Sequence, residues 1–81
     1  MKIMNESDKL FEMLGYEKTD LKNMSGKIWG IKYTNNVQFI KIKFDFIEQM
    51  VCVASLNGEG MYITTEELSA INKKCEELGW I

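Results

Sequence analysis

Residues 27–44 read KIWGIKYTNNVQFIKIKF, and this stretch decides the fold. Two runs, KIWGIKYT and VQFIKIKF, alternate apolar and polar residues with the two-residue period of a half-buried strand. Asn35 and Asn36 stand between them, and asparagine tolerates positive φ, so a two-residue hairpin turn is expected there. Such a turn pairs Thr34 with Val37, Lys32 with Phe39, Ile31 with Ile40, Trp29 with Ile42 and Ile28 with Lys43. Directly paired residues share a face, so Trp29, Ile31, Tyr33, Ile40, Ile42 and Phe44 form a core side. Ile28, Lys32, Thr34, Val37, Phe39, Lys41 and Lys43 fall on the other.

Downstream, residues 49–56 (QMVCVASL) read as a strand that is apolar on both faces. Asn57-Gly58 is a strong hairpin signal and predicts a short strand around Gly60 to Ile63. Thr64 then caps a helix, with Glu67 placed to return the capping-box bond and Leu68, Ile71, Cys75 and Leu78 as its apolar stripe. Gly79 stops it, and Trp80 folds back on the last turn. Upstream, Asn5 or Ser7 can cap a first helix carrying Ile3, Leu10, Phe11, Met13 and Leu14, which ends in the same way at Gly15-Tyr16. Residues 16–26 alternate weakly and read as a loop with at most a short edge strand at Tyr16 to Thr19. The expected fold is α+β, in the order α-β-β-β-β-α: an antiparallel meander of three or four strands covered on one face by an N-terminal and a C-terminal helix.

With 81 residues, 46% of them hydrophobic, the chain is expected to form one domain, residues 1–81. A chain this short buries only about 60–65% of its unfolded surface, so a homodimer or higher oligomer is expected to assist it. Charge is segregated. From Leu21 to Phe44 there are five lysines and no acid, whereas residues 45–81 hold seven acids against Lys73 and Lys74. All ten basic residues are lysine, which argues against sequence-specific DNA reading, where arginine's planar fork is preferred.

The chemistry that is missing narrows the function further. No histidine is present, so the commonest general base and metal ligand is absent, and neither catalytic residues nor a cofactor or metal is expected. Cys52 and Cys75 lie in apolar stretches and read as inert core thiols. Ser25-Gly26-Lys27 echoes the end of a phosphate loop but has Leu21 and Ile28 where that motif needs glycine and a hydroxyl residue. Gly58-Glu59-Gly60 opens no helix, which removes a dinucleotide reading. The Glu66-Glu67 and Glu76-Glu77 pairs read as helix cap and solvated surface, since helix neighbours face apart. Two unpaired cysteines and the lack of a signal-like or membrane-spanning apolar run point to a cytoplasmic protein with no membrane partner.

The segments FEMLGYEKTD and ITTEELSAINKKCEELGW, flanking an isoleucine- and lysine-rich meander, resemble small proteins of phages and prophages of low-GC Gram-positive bacteria. The resembling residues are caps and core, so the resemblance implies shared architecture and no active site. It also implies an accessory protein of the host cytoplasm, non-enzymatic, that inhibits an anti-phage defence system by binding a host protein stoichiometrically. The candidate partner-binding residues are Ile28, Lys32, Val37, Phe39, Lys41 and Lys43, with Phe39 as contact or stacking surface and the lysines as charge. Alternatives are sequestration of a small cyclic nucleotide at an oligomer interface, among lysines and aromatics such as Tyr33 and Phe39, and non-specific nucleic-acid binding.

Overall fold

The structure, a computed structural model, describes residues 5–58 and 62–81. Helix α1 spans Glu6–Met13, strands β1 to β4 span Glu17–Lys22, Ile28–Asn35, Ile40–Asp45 and Met50–Ser55, and helix α2 spans Thr65–Glu77. The strands form one antiparallel sheet in the order β1-β2-β3-β4, so the chain is an α+β meander closed at each end by a helix.

Both helices end as their sequences predict. Gly15, at φ 91°, lets Tyr16 N–H reach the Phe11 carbonyl at 2.9 Å and Gly15 N–H reach Glu12 at 3.0 Å, a Schellman closure. Gly79 and Trp80 repeat it on Glu76 and Cys75. Thr64 and Glu67 form the reciprocal capping box. At the other helix start Asn5 takes the N-cap position without a side-chain bond, and Ser7 is buried against α2 instead of capping.

Four expectations are corrected. The first strand is Glu17–Lys22, a charged segment read as mostly loop: it is an exposed edge held by its ladder to β2, so it carries no apolar alternation. The strand expected around Gly60 to Ile63 is not found at Tyr62 and Ile63, and its other residues lie outside the described ones. The β2–β3 connection takes four residues, 36–39, because Asn35 stays in β2 and its Oδ1 accepts from Val37 and Gln38 N–H at 3.0 Å each. Tyr33 therefore faces Ile42 and Ile31 faces Phe44, four positions beyond the predicted partner. That shift is even, so the two faces keep their members.

The fourth correction concerns Trp29. Leu21 faces Gly30 but Lys22 faces Ile28, so a bulge leaves Trp29 as an extra residue of β2. Its ring leaves the core side and lies 5.9 Å from Lys43 Nζ, while Ile28 takes the register of the helix-covered side at the half-exposed end of the sheet.

The core lies between the helices and one sheet face. Phe11 stacks on Tyr33 at 4.0 Å between ring centroids, Phe44 packs edge-on to both, and Ile31, Ile40 and Ile42 complete the sheet side. On α2 the buried stripe is Glu67, Ala70, Ile71, Lys74 and Cys75, whereas Leu68 is 47% exposed. Ile71 and Cys75 are the expected members, while the two charged residues, Glu67 and Lys74, fall outside an apolar pattern.

Candidate functional site: the open face of the sheet

Both helices cover the side that carries Tyr33 and Phe44, so alternation sends Lys32, Thr34, Lys41 and Lys43 to the other side. Among the described residues no helix covers that side. Lys32 and Lys43 are direct cross-strand partners, and Lys41, opposite Thr34, is diagonal to Lys32. Like charges directly opposed in a sheet destabilise it, and among the described residues none of these three lysines has a carboxylate within ion-pair distance. Beside them the Trp29 ring packs on Lys43. Gly30 holds this part of the face flat: a Cβ there would sit 2.6 Å from the Phe44 carbonyl oxygen, and Leu21 fills the space above it.

The predicted site residues divide accordingly. Lys32, Lys41 and Lys43 come together on one face as expected. Ile28 does not join them, because the bulge exchanges its position with that of Trp29. Val37 and Phe39 belong to the four-residue loop instead of a strand, so alternation does not place them on this face. Phe39 is 48% exposed with φ 58°, and its carbonyl accepts from Leu56 N–H. Tyr33, named for the nucleotide alternative, is in the core and bound to Asp8. Trp29 supplies the aromatic surface the sequence had sought in Phe39. Cys52 is exposed on this face opposite Lys43, not a core thiol, while Cys75 is buried and burial pushes its thiol pKa up.

A second polar constellation, beneath the helices, escaped the sequence entirely. Asp8 accepts from Tyr33 Oη at 2.5 Å and Lys18 Nζ at 3.0 Å, with Lys74 Nζ at 3.6 Å. Burial opposes the charge of Asp8, but the bonds from Tyr33 and Lys18 and the charges of Lys74 and Lys18 prevail and hold its carboxyl below the usual range. Burial and the adjoining carboxylates of Glu67 and Asp8 push the phenols of Tyr16 and Tyr33 well up, so both stay neutral donors. Ser7 closes the cluster with two bonds to Glu77, at 2.5 and 3.0 Å. Among the described residues no buried side-chain polar atom lacks a partner, which marks the cluster as a stitch between α1, α2 and the sheet.

The chain matches no family model, no curated protein and no solved structure. Function is therefore read from geometry. Among the described residues no three metal-binding side chains converge, and no helix is long and apolar enough to cross a membrane. What the open face offers is three lysines and an aromatic flank, with Glu17 and Asp45 at its margins opposite Thr34 and Gly30, a surface that can meet an anion.

Proposed function

We propose that the protein is a non-enzymatic binding protein that captures an acidic surface of a partner protein on the open face of its sheet. The observation that carries this reading is the direct opposition of Lys32 and Lys43, with Lys41 on the same face and, among the described residues, no carboxylate within ion-pair distance of any of the three. A free protein bears the cost of that repulsion, and an anion seated between the ammonium groups removes it. Taken with the resemblance to phage accessory proteins, the partner is a host defence factor in the host cytoplasm, inhibited one to one. The test uses a fluorescently labelled poly-glutamate peptide and anisotropy titration. Lys43→Glu and Lys41→Glu, each with an unchanged far-UV spectrum, should weaken capture at least about tenfold and flatten its salt dependence. Equal affinity in wild type and both variants would reject this face.

Trp29 beside Lys43 favours a second reading, sequestration of a nucleotide whose base stacks on the indole while its phosphate meets the lysines. Thermal-shift titration with linear and cyclic nucleotides separates the two: stabilisation that Trp29→Ala abolishes selects the nucleotide.

A further inference from the structure

The two edges of the sheet are built differently. Edge strand β1, Glu17–Lys22, carries Glu17, Lys18, Asp20 and Lys22, and its ladder is broken near its end by the bulge in β2; charges of this kind are among the devices by which natural sheets discourage pairing with other chains. Edge strand β4, Met50–Ser55, reads MVCVAS, with no charge, proline, glycine or bulge. Its direction of bonding is fixed by the ladder. Leu56 N–H donates to the Phe39 carbonyl, so Met50, Cys52 and Ala54 turn their backbone groups toward β3. The N–H and C=O of Val51, Val53 and Ser55 then point away from the sheet, where no described residue meets them.

We propose that β4 pairs antiparallel with β4 of a second copy, in the register that sets Val53 against the partner's Val53. In this register Val51 faces the partner's Ser55, and each outward N–H and C=O of the three residues gains a mate. Moving the centre to Cys52 or Ala54 leaves some of them without one inside the strand. The side chains agree. Met50 meets the partner's Leu56 at both ends of the pairing, and these two residues are 60% and 44% exposed in the single chain. A centre at Cys52 would instead set Leu56 against the partner's Glu48. No charge within β4 meets a like charge. Lys43 and the partner's Lys41 stand three strand spacings apart, about 14 Å, beyond the screening length of about 10 Å at 0.1 M salt. Because the dyad is perpendicular to the sheet, both helix layers lie on one side and both lysine faces join on the other. The pairing is independent of whether that face binds an anion.

Sedimentation equilibrium over a concentration series should show a dimer, and Leu56→Lys should weaken it about tenfold or more with an unchanged far-UV spectrum. The register is read by cross-linking. Cys52 and the partner's Ala54 form a close, non-hydrogen-bonded pair with Cα atoms about 4.5 Å apart, within disulfide range. Ala54→Cys treated with diamide, which takes up the two thiol hydrogens as the S–S bond forms, should give a covalent dimer. The wild type, whose two Cys52 residues lie diagonally about 7–8 Å apart, should not, nor should Ala54→Cys combined with Cys52→Ser. A monomer at all concentrations, or a wild type that cross-links as readily as Ala54→Cys, would overturn the proposal. So would a dimer indifferent to Leu56→Lys.

Discussion

The two faces of this sheet handle the same charged residue type in opposite ways. Beneath the helices, Lys74 is only 2% exposed yet lies 3.6 Å from Asp8, which also holds Lys18 and Tyr33. On the open face, Lys32 meets Lys43 with no carboxylate within ion-pair distance among the described residues. A buried charge left alone is too costly to survive, so the covered side had to pair every lysine it took in; the solvated side could keep an unfavourable pair at a small cost. Among the described residues the buried lysine is paired, and the unpaired lysines face solvent, where a partner can reach them.

Breaking the covered side should have the largest effect. Asp8→Ala strands Lys74 without its counter-charge and is expected to lower stability by about 3 kcal/mol or more, read as a fall of over about 10 °C in Tm. Asp8→Ala combined with Lys74→Met should recover much of it. The same cluster sets an acid limb. Because the folded state holds the Asp8 carboxyl below its unfolded value, the unfolded chain binds the extra proton as pH falls, so this stability is present above about pH 4 and lost below it. Asp8→Asn should flatten that limb in chemical denaturation; an identical slope would mean that the cluster does not act through charge.

Next in size come the two loops. Phe39 at φ 58° and Gln49 at φ 54° both occupy the left-handed region, where a side chain costs about 1–2 kcal/mol relative to glycine. Gln49→Gly should gain about 1 kcal/mol in urea unfolding, and Phe39→Gly less, because its half-buried ring is lost as well. The smallest effect sharpens the comparison by its sign. Lys32→Gln removes the repelling pair but leaves the Lys43–Trp29 contact in place, and should raise stability by about 0.5 kcal/mol at low salt while weakening capture of the acidic peptide. A loss of stability would show that the opposed lysines carry no repulsion.

Much of the fold was legible because its signals are local. The capping box, the two glycine endings and the face alternation each span a few residues, and alternation survives any even error in register. That is why misreading the turn at Asn35 displaced the partners by four positions without scrambling the faces. What stayed hidden depends on distant residues. Asn35 leaves the turn because its Nδ2 donates to the Leu14 carbonyl on α1, and Glu67 and Lys74 are buried because Tyr16 and Asp8 await them. Of the candidate site, the three lysines were legible. Trp29 was not, since the extra residue of β2 across from Leu21-Lys22 inverts its side chain; Gly30 beside it, an isolated glycine inside a strand pattern, was the signal of a bulge that the sequence carried.

The bonds from Ser7 to Glu77 join residues 70 positions apart, and Asp8 to Lys74 is nearly as long a closure. The hairpins, by contrast, close over loops of four or five residues and can form early. Helix α1 can place Asp8 on Tyr33 and Lys18 as soon as the meander forms, but its third partner Lys74 and the Ser7–Glu77 bonds wait for the far end of the chain, so the seam between the helices carries the largest loop-closure cost in the molecule.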